Sequence, residues 1–272
     1  MPRKRRLDIS RYKGRTGFGS YDELLRIEND IHSPGSVDSV LLDEMIKLVP
    51  ETADYLYSKY TPLTLKYRKG SRPYLEKVVR EVARRGDDAS EARTLLHWCN
   101  RIPFNFPTPE KSTENGFWST DAMLFGGTEE ELIKRGTEIC TEKDRVLCVL
   151  AQIAGMPARL VALFDMNRRN WGHGVTEIYI KSRRRSGWAI FDATSDACYP
   201  KTEGGLASAW ELRNRPELVD GHPGHGKEPY VDSVFYQCTA VVKYFVWDWL
   251  KYDYSWSFIS GYVRKIWEAN DQ

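Results

Sequence analysis

Hydrophobic positions recur at intervals of three and four in four stretches of the first hundred residues. They are Leu24, Leu25 and Ile31; Val40, Leu41, Met45, Ile46 and Val49; Leu75, Val78, Val79 and Val82; and Leu95, Leu96 and Cys99. Such spacing lays an apolar stripe along a helix. Pro50, Gly70-Ser71-Arg72-Pro73 and Gly86-Asp87-Asp88 separate the stretches, so residues 21–102 are expected to form a helical layer. Residues 103–127, with Pro103, Pro107, Pro109, Gly116, Gly126 and Gly127, have little periodicity and predict a long loop. Long loops in compact domains are often functional. Thr128 and Glu131 then form a capping box for a short helix ending near Gly136. A second helix, over about 141–154, carries Val146, Leu147, Leu150 and Ile153 on one stripe, with Glu142, Lys143 and Gln152 off it.

Beyond Gly155 the pattern becomes that of strands. Ala158 to Phe164 forms one, and Gly174 to Ile180 pairs with Trp188 to Phe191 across the basic turn at Lys181 to Gly187. Ser233 to Val246 is β-rich again, with Val234, Tyr236, Cys238, Ala240 and Val242 on one face. The expected fold class is α+β, a helical N-terminal half packed on an antiparallel sheet. A basic tail over 1–20 precedes one domain over 21–272. That domain comprises the helical layer 21–102, a core 103–200 and an aromatic-rich β part 201–272.

Composition narrows the class. At 272 residues and 41% hydrophobic the chain can bury a large core, and no run of uncharged apolar residues is long enough for a membrane-spanning helix. No secretory leader pattern follows the basic start, so a cytoplasmic protein with no membrane partner is expected. Forty basic against 38 acidic residues leave a net charge of +2, too near balance to argue for nucleic acid. The basic tail (Arg3, Lys4, Arg5, Arg6, Arg11, Lys13, Arg15) reads as a solvated N-terminus, and the turn Arg183-Arg184-Arg185 as a solvated turn. The crowded aromatics from Tyr244 to Trp267 fit a core plug or dimer contact better than a substrate cleft.

Cys99, Cys140, Cys148, Cys198 and Cys238 are odd in number and form no C-x-x-C pair, so neither a disulfide framework nor a zinc site is expected. Cys140 stands directly before the helix over 141–154, where backbone N–H groups and the helix dipole favour a thiolate. Cys148 sits mid-helix and suits packing. Cys99, Cys198 and Cys238 are structural or incidental. Among the histidines, His97 lies in an apolar helix beside Trp98 and is expected in the core. His222 and His225 have metal-like spacing, but their Pro and Gly neighbours prevent convergence. His32 completes the set of five histidines. His173, between Gly172 and Gly174, begins a strand whose hairpin partner ends at Asp192, so the two are expected side by side, the acid fixing the imidazole tautomer.

Four blocks in order carry a resemblance. They are Cys140 at a helix start; Gly155-Met156-Pro157-Ala158-Arg159; Gly172-His173-Gly174-Val175-Thr176-Glu177-Ile178-Tyr179; and Gly187-Trp188-Ala189-Ile190-Phe191-Asp192-Ala193-Thr194. The chain resembles the transglutaminase-like superfamily. The resemblance implies a papain-like core in which Cys140 is the nucleophile, His173 the general base and acid, and Asp192 its orienting partner. Trp188 and Arg159 match structural positions. The chain departs from the family pattern at Glu138, where many relatives have Gly, and at Asp144, where they have a small residue. The implied oxyanion hole uses the Cys140 backbone N–H and a side-chain donor, with Trp118 and Asn115 as candidates.

The expected function is cysteine-dependent acyl transfer on amide bonds of a protein or peptide through a thioester, with hydrolysis favoured over transfer to a small amine. No cofactor or metal is expected. The alternatives are a catalytically silent binding protein of the same fold and a small-molecule amide synthase.

Overall fold

The computed structural model describes residues 45–58, 69–70, 72–83, 86–105, 129–137, 140–165, 172–183, 185–224, 226–231 and 233–238. A short strand, β1 (Met45–Leu48), leads into helix α1 (Pro50–Ser58). Three helices follow: α2 (Pro73–Val82), α3 (Asp88–Asn100) and α4 (Glu129–Arg135). The long helix α5 (Cys140–Ile153) precedes strands β2 (Ala158–Asp165), β3 (Gly172–Ile180) and β4 (Gly187–Phe191). The short helix α6 (Ala209–Asn214), a 3₁₀ turn at Pro216–Val219, helix α7 (Glu228–Val231) and strand β5 (Ser233–Cys238) complete the order. The sheet runs β1-β5-β2-β3-β4 and every pairing is antiparallel.

Local chemistry explains the helix starts. Pro50 and Pro73 occupy first-turn positions, where a missing N–H costs nothing. The Asp87 carboxylate caps α3 by accepting from the Ser90 N–H at 2.8 Å. Gly136, which ends α4, has φ +93°, and a Cβ there would lie 2.8 Å from the Pro103 carbonyl oxygen. Glycine therefore lets Thr137 bond back to Pro103 and Asn105 to Thr137, just ahead of α5.

Helix α5 is the hub. It packs against α2, α3, α4, β2 and β3, and Leu75, Leu95, Leu96, Val146, Leu147, Leu150, Leu160, Ile178 and Phe191 share its core. Alternate strand residues face the other way: Val161, Leu163, Val175 and Ile190 join Leu48, Leu56, Tyr199, Leu212 and Tyr230 in a second core.

One expectation is corrected and two are extended. Residues 45–48 are an edge strand rather than part of the helical layer, because a short apolar run suits either period and pairing with β5 decides it. The N-terminal helices pack on the antiparallel sheet as expected, and its second face is covered too, by α1, α6 and α7, which contribute residues to the second core. Glu142 and Lys143, off the apolar stripe, are nonetheless buried. Arg135 meets Glu142 at 3.5 Å, and Lys143 donates to the Asn100 carbonyl at 3.1 Å. No helix among the described residues is long and apolar enough to cross a membrane.

Candidate active site

Cys140 is the first residue of α5 and is half-buried. Its Sγ accepts from the Gly174 backbone N–H at 3.4 Å, and a helix start is a setting that favours a thiolate. His173, beside Gly174 on β3, interacts with the same thiol. On its other side, His173 Nε2 lies 2.8 Å from Asp192 Oδ2. With Nε2 engaged by the carboxylate, Nδ1 is the ring nitrogen left for sulfur.

The register explains the meeting. Thr176 on β3 pairs with Phe191 on β4, so His173 and Asp192 come together where the two strands end. The Asp192 carboxylate is held by its own turn: Oδ1 accepts from the Thr194 and Ser195 N–H groups at 3.0 Å each. Asn100, at the end of α3, fastens that turn by donating to the Ala193 and Thr194 carbonyls at 3.0 and 3.1 Å.

Charges around the triad follow from burial and pairing. Burial alone would lower the His173 pKa, but hydrogen bonds to Asp192 and Cys140 win and push it up to about 11. Burial opposes ionisation of Asp192, yet its bond to His173 holds it below the usual carboxylate range. These are two views of one ion pair. Cys99, buried under the helices, is held well above an ordinary thiol by desolvation and by Asp144. Cys148 is fully buried, as packing requires.

The other sequence blocks serve the frame. Arg159 and Glu177 are opposite one another in the β2/β3 register and form a buried ion pair at 2.7 Å. The guanidinium stacks 3.9 Å from the Trp188 ring and 4.8 Å from that of Tyr57. Glu177 also accepts from the Tyr57 hydroxyl at 2.7 Å and from the Ala209 N–H at 2.8 Å. Arg159, Glu177 and Trp188 thus tie β2, β3 and β4 to α1 and α6.

One histidine expectation is corrected. His97 is on the exposed side of α3 and pairs with Asp196 at 2.6 Å, so it is not a core histidine. His222 packs edge-on against Tyr199, and no group of three potential metal ligands converges among the described residues. Trp118, Asn115, Glu138, His32, His225 and the aromatic run from Tyr244 to Trp267 lie outside the described residues, as does the basic tail. A cleft of about 880 Å³, lined by Tyr57, Trp188, Trp210 and the basic hairpin turn, holds none of the triad residues. Tyr57, Asn100 and Thr176 carried no readable functional signal, because their partners are distant in sequence.

No match is found among curated proteins or among solved structures. Residues 76–193, which include Cys140, His173 and Asp192, match the family model of the transglutaminase-like superfamily, the family that the four sequence blocks resemble.

Proposed function

We propose that this chain is a cysteine-dependent acyl-transfer enzyme that opens an amide bond of a protein or peptide through a thioester on Cys140. The observation that carries the reading is the arrangement at the head of α5, where Cys140 meets His173 and His173 is bonded at 2.8 Å to Asp192. A papain-like use of this triad follows. The thiolate attacks the carbonyl carbon, and the negative charge moves to the carbonyl oxygen. The C–N bond then breaks as the His173 imidazolium gives its proton to the leaving amine. Water, deprotonated by the now neutral His173, attacks the thioester. The acid leaves, and the recovered proton restores the thiolate–imidazolium pair. An amine in place of water would give a transferred amide. Cys140 is half-buried, so an acceptor can approach its thioester, with water the acceptor always at hand.

The test is the rate of iodoacetamide alkylation at about pH 6, below the range of a free thiol. Each cysteine is followed by peptide mass spectrometry in wild type and in His173→Ala. Cys140 is expected to react at least tenfold faster than Cys99, Cys148 and Cys198, and to lose that advantage in the variant. Equal, slow alkylation in both proteins would remove the reading. Once a substrate is in hand, Cys140→Ala is expected to abolish turnover and Cys148→Ala to change only stability.

A further inference from the structure

Asp144 follows Cys140 by one turn of α5 and is completely buried. Where many members of the superfamily it resembles have a small residue, this chain places a carboxyl. Its Oδ1 accepts from the Ala193 N–H at 3.2 Å, in the turn directly after Asp192. The same Oδ1 lies 3.1 Å from the Thr176 hydroxyl on β3, three residues beyond His173. One side chain therefore joins the helix bearing Cys140, the strand bearing His173 and the turn bearing Asp192.

The contacts also indicate its protonation state. Thr176 Oγ1 lies 2.8 Å from the Asp144 main-chain oxygen, the shorter of its two contacts and the better use of its single proton. Oδ1, at 3.1 Å, takes at most a minor share of that proton beside the Ala193 N–H, so no full charge-assisted hydrogen bond from Thr176 supports an anion there. Oδ2 is buried and has no hydrogen-bond partner among the described residues. An orphaned carbonyl oxygen is far cheaper to bury than a carboxylate oxygen. The titratable groups around it are Cys140 and Lys143 on α5, Cys99 on α3, His173 on β3, Asp192 after β4, and, farther off, Tyr199 and Tyr230. Lys143 donates to the Asn100 carbonyl at 3.1 Å and sits over the Phe104 ring, and no ion pair joins it to Asp144 among the described residues.

The geometry points to Asp144 as a positioning residue for the triad, a neutral acid that holds Cys140, His173 and Asp192 in register without adding a second anion beside Asp192. This rests on the triad reading above. Burial, followed by the repulsion of Asp192, holds the Asp144 carboxyl well above the ordinary range, in agreement with the contacts. Proton transfer stays with His173; Asp144 acts through the elements it joins.

The experiment adds Asp144→Asn and Asp144→Ala to the alkylation assay, with circular dichroism for folding and the infrared band of a protonated carboxyl read on wild type and Asp144→Asn. Asparagine keeps a neutral acceptor for Ala193 and is expected to leave Cys140 reactivity within about threefold of wild type. Alanine is expected to lower it at least tenfold in a folded protein. The infrared band should be present in wild type near neutral pH and missing from Asp144→Asn. Wild-type reactivity in Asp144→Ala would overturn the positioning role. Equal losses in both variants, with no band in wild type, would show that Asp144 acts as an anion and overturn the neutral-acid role. Unreactive Cys140 in wild type and His173→Ala alike would instead overturn the triad reading, and this inference with it.

Discussion

Arg159 is enclosed by groups that a guanidinium can use. It meets Glu177 at 2.7 Å and the Leu56 carbonyl at 3.1 Å, with aromatic rings stacked against it. Taking both charges out of water is costly, so the pair by itself adds little net stability, but removing one member leaves the other uncompensated. Glu177→Gln tests this. The amide oxygen can still accept from Tyr57 and Ala209, but the amide N–H2 takes the place of the oxygen that Arg159 donates to, so the charge and the acceptor for the guanidinium are lost together. The expected destabilisation is about 3–5 kcal/mol, the range for breaking a buried pair, read as a lower urea midpoint with an unchanged denaturant slope. A loss of only about 1 kcal/mol would mean that Glu177 acts as an ordinary hydrogen-bond acceptor.

Between elements, the link from α4 to α5 sets where Cys140 begins its helix. Gly136 and Gly155 have nearly the same backbone angle, φ +93° and +91°, but differ in surroundings. A Cβ on Gly136 meets the Pro103 carbonyl at 2.8 Å, whereas one on Gly155 meets nothing within 4 Å. Gly155→Ala is therefore expected to cost only backbone strain, roughly 1 kcal/mol. Gly136→Ala should cost about 2–3 kcal/mol and also slow Cys140 alkylation, because the backbone must shift beside α5. Thermal melts and the alkylation assay on both variants check this; equal costs would mean that the Pro103 contact yields freely. The same scale explains what the sequence could reveal. Helix α5 and strands β2 to β4 are long and regular, and their blocks carry Cys140, His173 and Asp192, so the elements there and the meeting of these three side chains are legible in the sequence. Residues 45–48 suit a helix as well as a strand in the sequence, because four apolar-rich residues satisfy either period. The layer made by α6, the 3₁₀ turn and α7 went unseen because elements of four to six residues show no period. His97 follows buried Leu96 by about 100° of helix turn, enough to face outward although its neighbours are apolar. Asp144 was visible as a departure from a motif, but its role depends on Thr176 and Ala193, 32 and 49 residues away.

For the molecule as a whole, buried ionisable groups make stability depend on pH, and the sign is fixed by which state binds more protons. His173 has a raised folded-state value, about 11, so its contribution is complete below the unfolded value near 6.5 and is lost as pH rises through about 11. Asp192 is depressed, so its contribution is present above 3.8 and is lost as pH falls through its lower folded value. Asp144 has a raised value: the folded chain keeps its proton while the unfolded chain begins to release one above 3.8. Stability from this group is therefore lost as pH rises from about 4, at up to about 1.4 kcal/mol per pH unit, until the folded-state value is reached. Asp144→Asn removes that titration and leaves His173 and Asp192 in both proteins, so their terms cancel when the two unfolding free energies are subtracted. The variant should gain on wild type steadily between about pH 4 and pH 7, whatever the asparagine costs at the acid end. Urea unfolding at several pH values measures the difference. A flat difference over that window would mean that Asp144 is a carboxylate in the folded chain, and the three elements around it would be joined by a charge rather than by a neutral acid.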